Sequence, residues 1–317
     1  MARVALLDDY QGVALRMADW KSLPAGTEVQ VFQDHLVDEG ALAARLGDFD
    51  IIMALRERTP FPRSLLVRLP KLKLLITAGM RNASIDMKAA AERGVLVCGT
   101  AGLPYPTAEL AWGLILSLAR RIPAEDHATR EGRWQTSVGL GLNGKTLGVL
   151  GLGTLGSRVA RVGRAFEMEV LAWSQNLTAE RAAAADAMFV AKDDLLARSD
   201  FVSIHLVLSE RTRGLIGARE LSLMGRSAYL INTSRGPIVD EAALVRALGD
   251  GTISGAGLDT FDEEPLPLDH PFRRLPNVVI TPHLGYVTEE TYRIFYGHAV
   301  EDIRAYLKGA PVRVLHP

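Results

Sequence analysis

The glycine-rich segment GLGTLG at residues 151–156 constrains the fold more than any other part of the sequence. A buried-strand pattern, LGVL, precedes it, the helical pattern SRVARVGRAF follows it, and a second strand pattern, EVLAW, comes next. Glycines at this spacing allow a tight turn and bring backbone N–H groups close to a pyrophosphate at the positive end of a helix. The segment therefore predicts a βαβ unit that binds a dinucleotide. The residues expected to contact the cofactor here are Gly151, Gly153, Thr154, Leu155 and Gly156.

The choice of cofactor depends on a position about twenty residues beyond the glycines, where an acid would bind the adenosine ribose of NAD. Ser174 occupies that position, and Gln175 and Asn176 follow it. Without a carboxylate, nothing there repels a 2′-phosphate, and Arg158 and Arg181 are candidate cations for binding one. We expect Ser174 to border an NAD(P) cofactor, with NADP favoured over NAD.

Short apolar runs alternate with helical patterns along the chain, which is typical of an α/β fold. In the first third, the runs at residues 4–7, 51–55, 72–77 and 95–98 predict buried parallel strands. Helical periodicity appears between them at residues 38–46, 64–69 and 87–93. Six further apolar runs follow residue 145, which suits a second doubly wound parallel sheet that binds a dinucleotide.

The length of 317 residues favours two domains rather than one core. A long apolar helix is predicted at residues 103–121, and a helix with one apolar stripe at residues 288–308. We expect this tail helix to fold back on the first part of the chain. The predicted organisation is a discontinuous substrate domain, residues 1–100 and 286–317, into which a dinucleotide-binding domain, residues 101–285, is inserted.

Charge and composition narrow the classes of partner. The formal net charge is −1, which leaves no positive field for a nucleic acid. No apolar run reaches the length of a membrane span, and the amino-terminal residues lack a signal sequence, so we expect a cytoplasmic protein. Cys98 is the single cysteine, and we expect it to be a buried apolar residue rather than a nucleophile. No metal site is expected.

Three polar residues follow predicted strands of the second sheet, at the edge where ligands of open α/β sheets bind. Arg235 follows LINTS, Glu264 comes shortly after GAGLD, and His283 follows VVITP. Hydride transfer to a carbonyl group needs a proton donor and a fixed cation that binds and polarises the substrate. An imidazole and a guanidinium can supply these two functions.

The segments around these residues, INTSRGPIVDEAAL, LDTFDEEPLP and TPHLGYVT, resemble those of the D-isomer specific 2-hydroxyacid dehydrogenases. This family includes glyoxylate/hydroxypyruvate reductases and D-3-phosphoglycerate dehydrogenases. The resemblance implies that Arg235 binds the substrate carboxylate and carbonyl, that His283 is the acid/base, and that Glu264 keeps His283 protonated. It also implies two Rossmann-like domains, the substrate domain being flavodoxin-like. The further residues that it places beside the cofactor are His205, Thr233, Ser234, Asp259 and Gly285.

Two groups of residues in the first domain are candidates for substrate binding. The segment LLITAGMRNASIDMKAA resembles the family's carboxylate-binding loop, which implies that Ala78 and Gly79 offer backbone N–H groups to the anion. Arg56 and Arg81 follow predicted strands and could bind a second anionic group. The alternative is that both arginines lie on the solvated surface.

The predicted function is hydride transfer between NAD(P) and a small 2-keto or 2-hydroxy acid such as glyoxylate or hydroxypyruvate. D-3-phosphoglycerate dehydrogenase activity is the alternative within the family. A non-catalytic NAD(H)-sensing protein on the same fold is the alternative of another class. The resemblance also implies a homodimer with the helix at residues 103–121 in its interface, although that helix could instead pack wholly within the monomer.

Overall fold

The computed structural model describes residues 2–317, which form two compact units. Unit 1 comprises the chain up to Leu103 together with Thr288–Pro317, and unit 2 comprises Pro104–Val287. Both units are parallel α/β structures. Because the chain returns to unit 1 after unit 2 is complete, unit 2 is an insertion, and the predicted fold class is confirmed.

The first segment of unit 1 forms a five-stranded parallel sheet. Its strands are β1 (Ala2–Leu6), β2 (Thr27–Val31), β3 (Ile51–Ala54), β4 (Leu74–Thr77) and β5 (Leu96–Gly99). Its helices are α1 (Ala14–Met17), α2 (Glu39–Leu46), α3 (Arg63–Leu66) and α4 (Met87–Glu92). The spatial order is β2-β1-β3-β4-β5, which is the flavodoxin-like order.

Unit 2 contains a seven-stranded parallel sheet. Its strands are β6 (Thr146–Leu150), β7 (Glu169–Trp173), β8 (Met188–Phe189), β9 (Phe201–Ile204), β10 (Tyr229–Asn232), β11 (Gly255–Leu258) and β12 (Val278–Ile280). Its helices are α5 (Pro106–Arg120), α6 (Ile122–Arg130), α7 (Thr154–Ala165), α8 (Ala179–Ala183), α9 (Lys192–Arg198), α10 (Ala218–Met224) and α11 (Glu241–Gly249). The spatial order is β12-β11-β10-β9-β6-β7-β8. From the centre of the sheet, β6 to β8 follow one another towards one edge and β9 to β12 towards the other, so the strand order switches between β6 and β9, as in dinucleotide-binding sheets.

The long helix α5 lies within the core of unit 2. It begins with Pro106 at its first position, where the missing N–H costs no hydrogen bond, and it ends at Arg121 in the left-handed conformation. Trp112, Leu114 and Ile115 are buried, and α5 contacts β10, β11, β12 and α7. Its apolar face is therefore used inside the unit rather than left open for a partner.

The chain returns to unit 1 through α12 (Glu289–Leu307), which starts after the capping side chain of Thr288. The helix buries Tyr292, Phe295 and Tyr296 and packs against α1 and β4. Beyond it, Val314 pairs with Cys98 in an antiparallel bridge. The carboxyl-terminal segment thus extends the sheet of unit 1 at its β5 edge.

Cys98 lies in β5 and is fully buried. Burial raises the pKa of its thiol to about 12, so the side chain is a neutral part of the core. In residues 2–317, no three His, Cys, Asp or Glu side chains come together as metal ligands. None of the helices in the same residues is long and apolar enough to cross a membrane.

Candidate active site

The residues expected to bind the cofactor and carry the chemistry follow six neighbouring strands of unit 2. Because β6, β7, β9, β10, β11 and β12 are parallel, their carboxyl ends meet at one edge of the sheet. This edge, next to the reversal of strand order, is where ligands of open α/β sheets bind. We call it the catalytic edge.

The glycine-rich segment forms a tight connection between β6 and α7. Gly151 has a φ of 101°, and a Cβ atom there would lie 2.6 Å from the carbonyl oxygen of His205. A Cβ atom on Gly156 would lie 2.0 Å from the carbonyl oxygen of Gly151, so only glycine allows the helix to approach the turn. Around Gly153, by contrast, a Cβ atom would meet open space. No side chain caps the amino terminus of α7, which leaves its first N–H groups available to an anion.

The buried polar atoms that have no hydrogen-bond partner within residues 2–317 include Nδ1 of His205 and Oγ1 of Thr233, both at the catalytic edge. His205 bonds through Nε2 to the hydroxyl of Ser203 at 2.8 Å, and burial lowers its pKa to about 4. A neutral imidazole and a threonine hydroxyl left unsatisfied in a protein core are costly unless a ligand completes them. Together with the glycine-rich turn, they fit a bound dinucleotide.

Ser174 lies directly after β7, as expected for the position near the adenosine ribose. It is half-buried, its carbonyl accepts a hydrogen bond from Leu177, and Gln175 and Asn176 beside it are exposed. The structure therefore places an uncharged hydroxyl at this position.

Glu264 and His283 form a hydrogen-bonded pair. Oε2 of Glu264 lies 2.6 Å from Nδ1 of His283, and Oε1 of Glu264 accepts the backbone N–H of Phe261 at 2.9 Å. Because Nδ1 of His283 faces the carboxylate, Nε2 is the nitrogen available to a substrate. The backbone of His283 has a φ of 53°, a conformation in which histidine is enriched among non-glycine residues.

Arg235 sits in the turn after β10, and this turn is closed by Asn232. The side-chain amide of Asn232 donates to the carbonyl of Arg235 at 2.9 Å and accepts the N–H of Ser234 at 3.0 Å. The hydroxyl of Ser234 donates to the carbonyl of Ile204 at 2.8 Å, which joins the turn to β9. Ser234, expected beside the cofactor, thus uses its hydroxyl within the protein. Asn232 was not singled out from the sequence, although asparagine is a common residue for closing turns.

Asp259 is fully buried after β11 and holds the loop that carries His283. Its carboxylate accepts the hydroxyl of Thr281 at 2.6 Å and the N–H groups of Leu284 and Gly285 at 2.7 and 2.9 Å. Burial raises the pKa of Asp259, and these hydrogen bonds act in the opposite direction. Gly285 is fixed further by the hydroxyl of Thr107, which donates to its carbonyl at 2.9 Å. The contact of both residues with a nicotinamide stays a prediction.

The backbone donors expected at the carboxylate-binding loop of unit 1 are already used. The N–H of Ala78 donates to the carbonyl of Ala54 at 3.0 Å, and the N–H of Gly79 donates to Oγ1 of Thr100 at 2.9 Å. The expectation that these two groups bind an anion therefore needs correction. The sequence could not indicate this, because both acceptors lie on other strands or loops.

Arg56 lies against this loop with a φ of 60°. Its guanidinium donates to the carbonyl of Ala78 at 3.2 Å, and a Cβ atom on Gly79 would lie 2.0 Å from Nη1. Asn82 donates to the carbonyl of Arg56 at 2.7 Å and so fixes this strained backbone. Arg81, two residues beyond Gly79, is exposed. The loop positions one cation firmly and leaves the other in solvent.

A sequence-family model, described as D-isomer specific 2-hydroxyacid dehydrogenase, NAD binding domain, matches residues 112–285. Glyoxylate reductase from Aeropyrum pernix is 42% identical over 255 residues, which cover 77% of this chain and 76% of that protein. The chain belongs to the D-isomer specific 2-hydroxyacid dehydrogenase family. The resemblance noted from the sequence is thereby confirmed.

Two further similarities place this 2-hydroxyacid dehydrogenase among its relatives. D-3-phosphoglycerate dehydrogenase from Archaeoglobus fulgidus is 38% identical over 91% of this chain, which spans 55% of that protein. A solved phosphoglycerate oxidoreductase from Vibrio cholerae has a TM-score of 0.93 and 35% identity, over 98% of this chain and 100% of that one. The dehydrogenase is an oxidoreductase that acts on a CH–OH group with a nicotinamide cofactor.

Proposed function

We propose that this dehydrogenase reduces a small 2-keto acid to the D-2-hydroxy acid, with glyoxylate and hydroxypyruvate as its best candidates. The observation that carries the proposal is the Glu264–His283 pair at 2.6 Å on the catalytic edge, since the loop of Glu264 contacts the turn after Arg235 at Gly236. The similarity to a glyoxylate reductase supports the choice of substrate.

Each residue of this set has a defined task in the proposed reaction. A nicotinamide cofactor held at the glycine-rich turn and beside His205 and Thr233 would supply hydride chemistry at the catalytic edge. Arg235 binds the carboxylate of the substrate and polarises its carbonyl. Its positive charge then lies where negative charge develops on the carbonyl oxygen. His283 donates the proton on Nε2 to the carbonyl oxygen, and Glu264 stabilises the imidazolium from the Nδ1 side. In the oxidative direction the same imidazole takes the proton back.

We further propose that the nicotinamide cofactor is NADP(H) in preference to NAD(H). The support is the uncharged Ser174 at the end of β7, since no carboxylate there repels a 2′-phosphate. Paired fluorescence titrations with NADH and NADPH test this choice. A lower dissociation constant for NADPH is expected, and tighter binding of NADH would overturn it.

A keto-acid panel with the better cofactor tests the proposed reaction. Glyoxylate, hydroxypyruvate and pyruvate are added in turn, and loss of the reduced-nicotinamide absorbance is followed. We expect consumption with at least one of them, and chiral chromatography should identify the D isomer where the product is chiral. A protein that binds the reduced cofactor and consumes it with none of the acids would instead support the sensor.

D-3-phosphoglycerate dehydrogenase activity is the second candidate. It is favoured by the similarity to two phosphoglycerate oxidoreductases and by the presence of Arg56 and Arg81 in unit 1, which we propose bind a second anionic group on the substrate. Oxidation of D-3-phosphoglycerate, measured beside D-glycerate, separates the two candidates. A higher kcat/KM for the phosphorylated compound that falls in R56Q would support the second one.

We also propose that the dehydrogenase is a homodimer. The apolar face of α5 packs inside unit 2, and the place of this helix in a dimer interface stays a prediction. The irregular segment after α6 instead exposes 79% of Trp134 and 95% of Val138. Large apolar side chains exposed in this way favour contact with another protein surface.

A further inference from the structure

The turn that carries Arg235 and the loop that carries Glu264 are in direct backbone contact through Gly236. A Cβ atom built on Gly236 would lie 2.1 Å from the carbonyl carbon of Phe261, 2.3 Å from its oxygen and 2.6 Å from the nitrogen of Asp262. Real Cβ atoms do not approach other atoms so closely. Gly236 does not have a positive φ, so the need for glycine comes from space rather than from backbone conformation.

Phe261 links this contact to the acid/base pair. Its peptide group on the carboxyl side touches Gly236, and its N–H donates to Oε1 of Glu264 at 2.9 Å. The other oxygen of that carboxylate holds His283. The side chain of Phe261 is 6% exposed and packs against Phe272, so the residue has little freedom to move away. The turn that carries Arg235 must therefore take up a displacement at Gly236.

Asn232 fixes the opposite side of the Arg235 turn. It is 1% exposed and uses both ends of its side-chain amide on the backbone of Ser234 and Arg235. In addition, the N–H of Asp259 donates to the carbonyl of Asn232 at 3.0 Å, which ties the start of this turn to the start of the Glu264 loop. The two loops are thus joined at two places.

We propose that Gly236 and Asn232 are positioning residues, which set the place of the Arg235 guanidinium relative to the Glu264–His283 pair. The proposal rests on the proposed function, because it assigns a geometric requirement to the same reaction. Neither residue touches the reacting atoms. They act by holding a substrate-binding cation and a proton donor in one rigid arrangement, where a displacement of about 1 Å can cost roughly 100-fold in rate.

A double-mutant cycle on kcat/KM tests the proposal. G236A, R235A and the double variant are assayed with the best 2-keto acid, and G249A is the matched control because a Cβ atom on Gly249 meets open space. We expect G236A to lose roughly 100-fold in kcat/KM, with most of the loss in kcat, while its dissociation constant for the reduced cofactor stays within about twofold. In the R235A background, G236A should change kcat/KM by less than about threefold, because its effect acts through the missing guanidinium.

Two outcomes would overturn the proposal. One is a G236A enzyme as active as G249A, and the other is an effect of G236A that multiplies fully with that of R235A, which is the behaviour of general structural damage. If G236A does not fold, N232A replaces it in the same cycle with the same expectations, since it removes hydrogen bonds without adding a clash. A wild-type protein that reduces no 2-keto acid would instead refute the proposed function, so the two failures can be told apart.

Discussion

At the scale of single residues, each of the two carboxylate oxygens of Glu264 has its own hydrogen-bond partner. Oε1 takes the N–H of Phe261, and Oε2 faces Nδ1 of His283. The side chains of Glu264 and His283 remain 31% and 19% exposed, so the pair is open to a substrate without being fully solvated. A carboxylate in this position holds the tautomer of the imidazole and stabilises its charged form at the same time.

Replacement of Glu264 by glutamine should therefore impair the proton transfer. A glutamine has one acceptor oxygen, so either Phe261 or His283 faces an NH2 group, and the negative charge that stabilises the imidazolium is lost. We expect E264Q to lower kcat for the best 2-keto acid by roughly 100-fold with little change in cofactor affinity. Steady-state assays beside E263Q, a change to the preceding acidic residue, provide the measurement. Equal kcat values for the two variants would contradict the role given to Glu264.

At the scale of secondary structure, the sequence predicted the elements that are buried and missed those that are exposed. The predicted runs in the first third appear as β1, β3, β4 and β5, whose residues are mostly buried. The strand β2 (TEVQV) was not predicted, because it lies at an edge of the sheet and its polar or charged residues alternate with apolar ones. The two-residue strand β8 is exposed at the other sheet's edge, so unit 2 has seven strands where six were predicted.

In the candidate active site, the sequence predicted features that depend on local patterns and missed those that depend on long-range contacts. Arg235, Glu264 and His283 could be placed from the sequence, because each follows a strongly apolar strand and parallel strands share an edge. The loss of the Ala78 and Gly79 N–H groups to Ala54 and Thr100 could not be foreseen. It depends on contacts between segments that lie about twenty or more positions apart in the chain.

The glycine-rich turn and α7 provide one test at this scale. In G156A the new methyl group would press on the carbonyl oxygen of Gly151, 2.0 Å away, and push the helix from the turn. Overpacking of this kind costs about 1–3 kcal/mol, so the dissociation constant of the reduced cofactor should rise about tenfold or more. Fluorescence titration measures it, with G113A as control because that exposed site in α5 has open space. Unchanged affinity in G156A would show that the turn does not bind the dinucleotide.

The carboxyl-terminal segment provides a second test, through the buried Asp302 of α12. Nε of Arg313 donates to Oδ1 of Asp302 at 3.0 Å, and within residues 2–317 its Oδ2 has no partner. Burial raises the pKa of Asp302 from its usual 3.8 to about 7, with Glu301 adding to the effect and Arg313 opposing it. Between pH 3.8 and about pH 7, Asp302 holds a proton in the folded protein that it has released in the unfolded chain. The contribution of Asp302 to stability is therefore complete below about pH 4 and declines as the pH rises towards 7.

Urea denaturation from pH 4.5 to pH 8 measures this dependence. Relative to wild type, D302N should show a less negative slope of the unfolding free energy against pH across that window, because the amide does not ionise. The difference should not exceed about 1.4 kcal/mol per pH unit. E290Q, an exposed change in the same helix, should keep the wild-type slope. Identical slopes for D302N and wild type would mean that Asp302 titrates at its ordinary value.

At the scale of the whole molecule, the question is whether two copies associate through the exposed segment after α6. Light scattering at working concentration should give about twice the chain mass of 34.4 kDa. A W134E/V138E double variant should shift the mass towards one chain, because burying two carboxylates in an apolar interface is costly. L268E is the control, since Leu268 is 89% exposed elsewhere in unit 2. A wild-type monomer would refute the dimer, and a dimeric double variant would refute this interface.

The insertion of unit 2 has a consequence for how the protein is made. A ribosome releases the strands β1–β5 first, then all of unit 2, and only afterwards the helix α12 that buries Tyr292, Phe295 and Tyr296. Domains generally fold as units during synthesis. Part of the apolar surface of the nascent first sheet therefore stays uncovered while more than half of the chain is translated. This interval is when the polypeptide has most need of a chaperone.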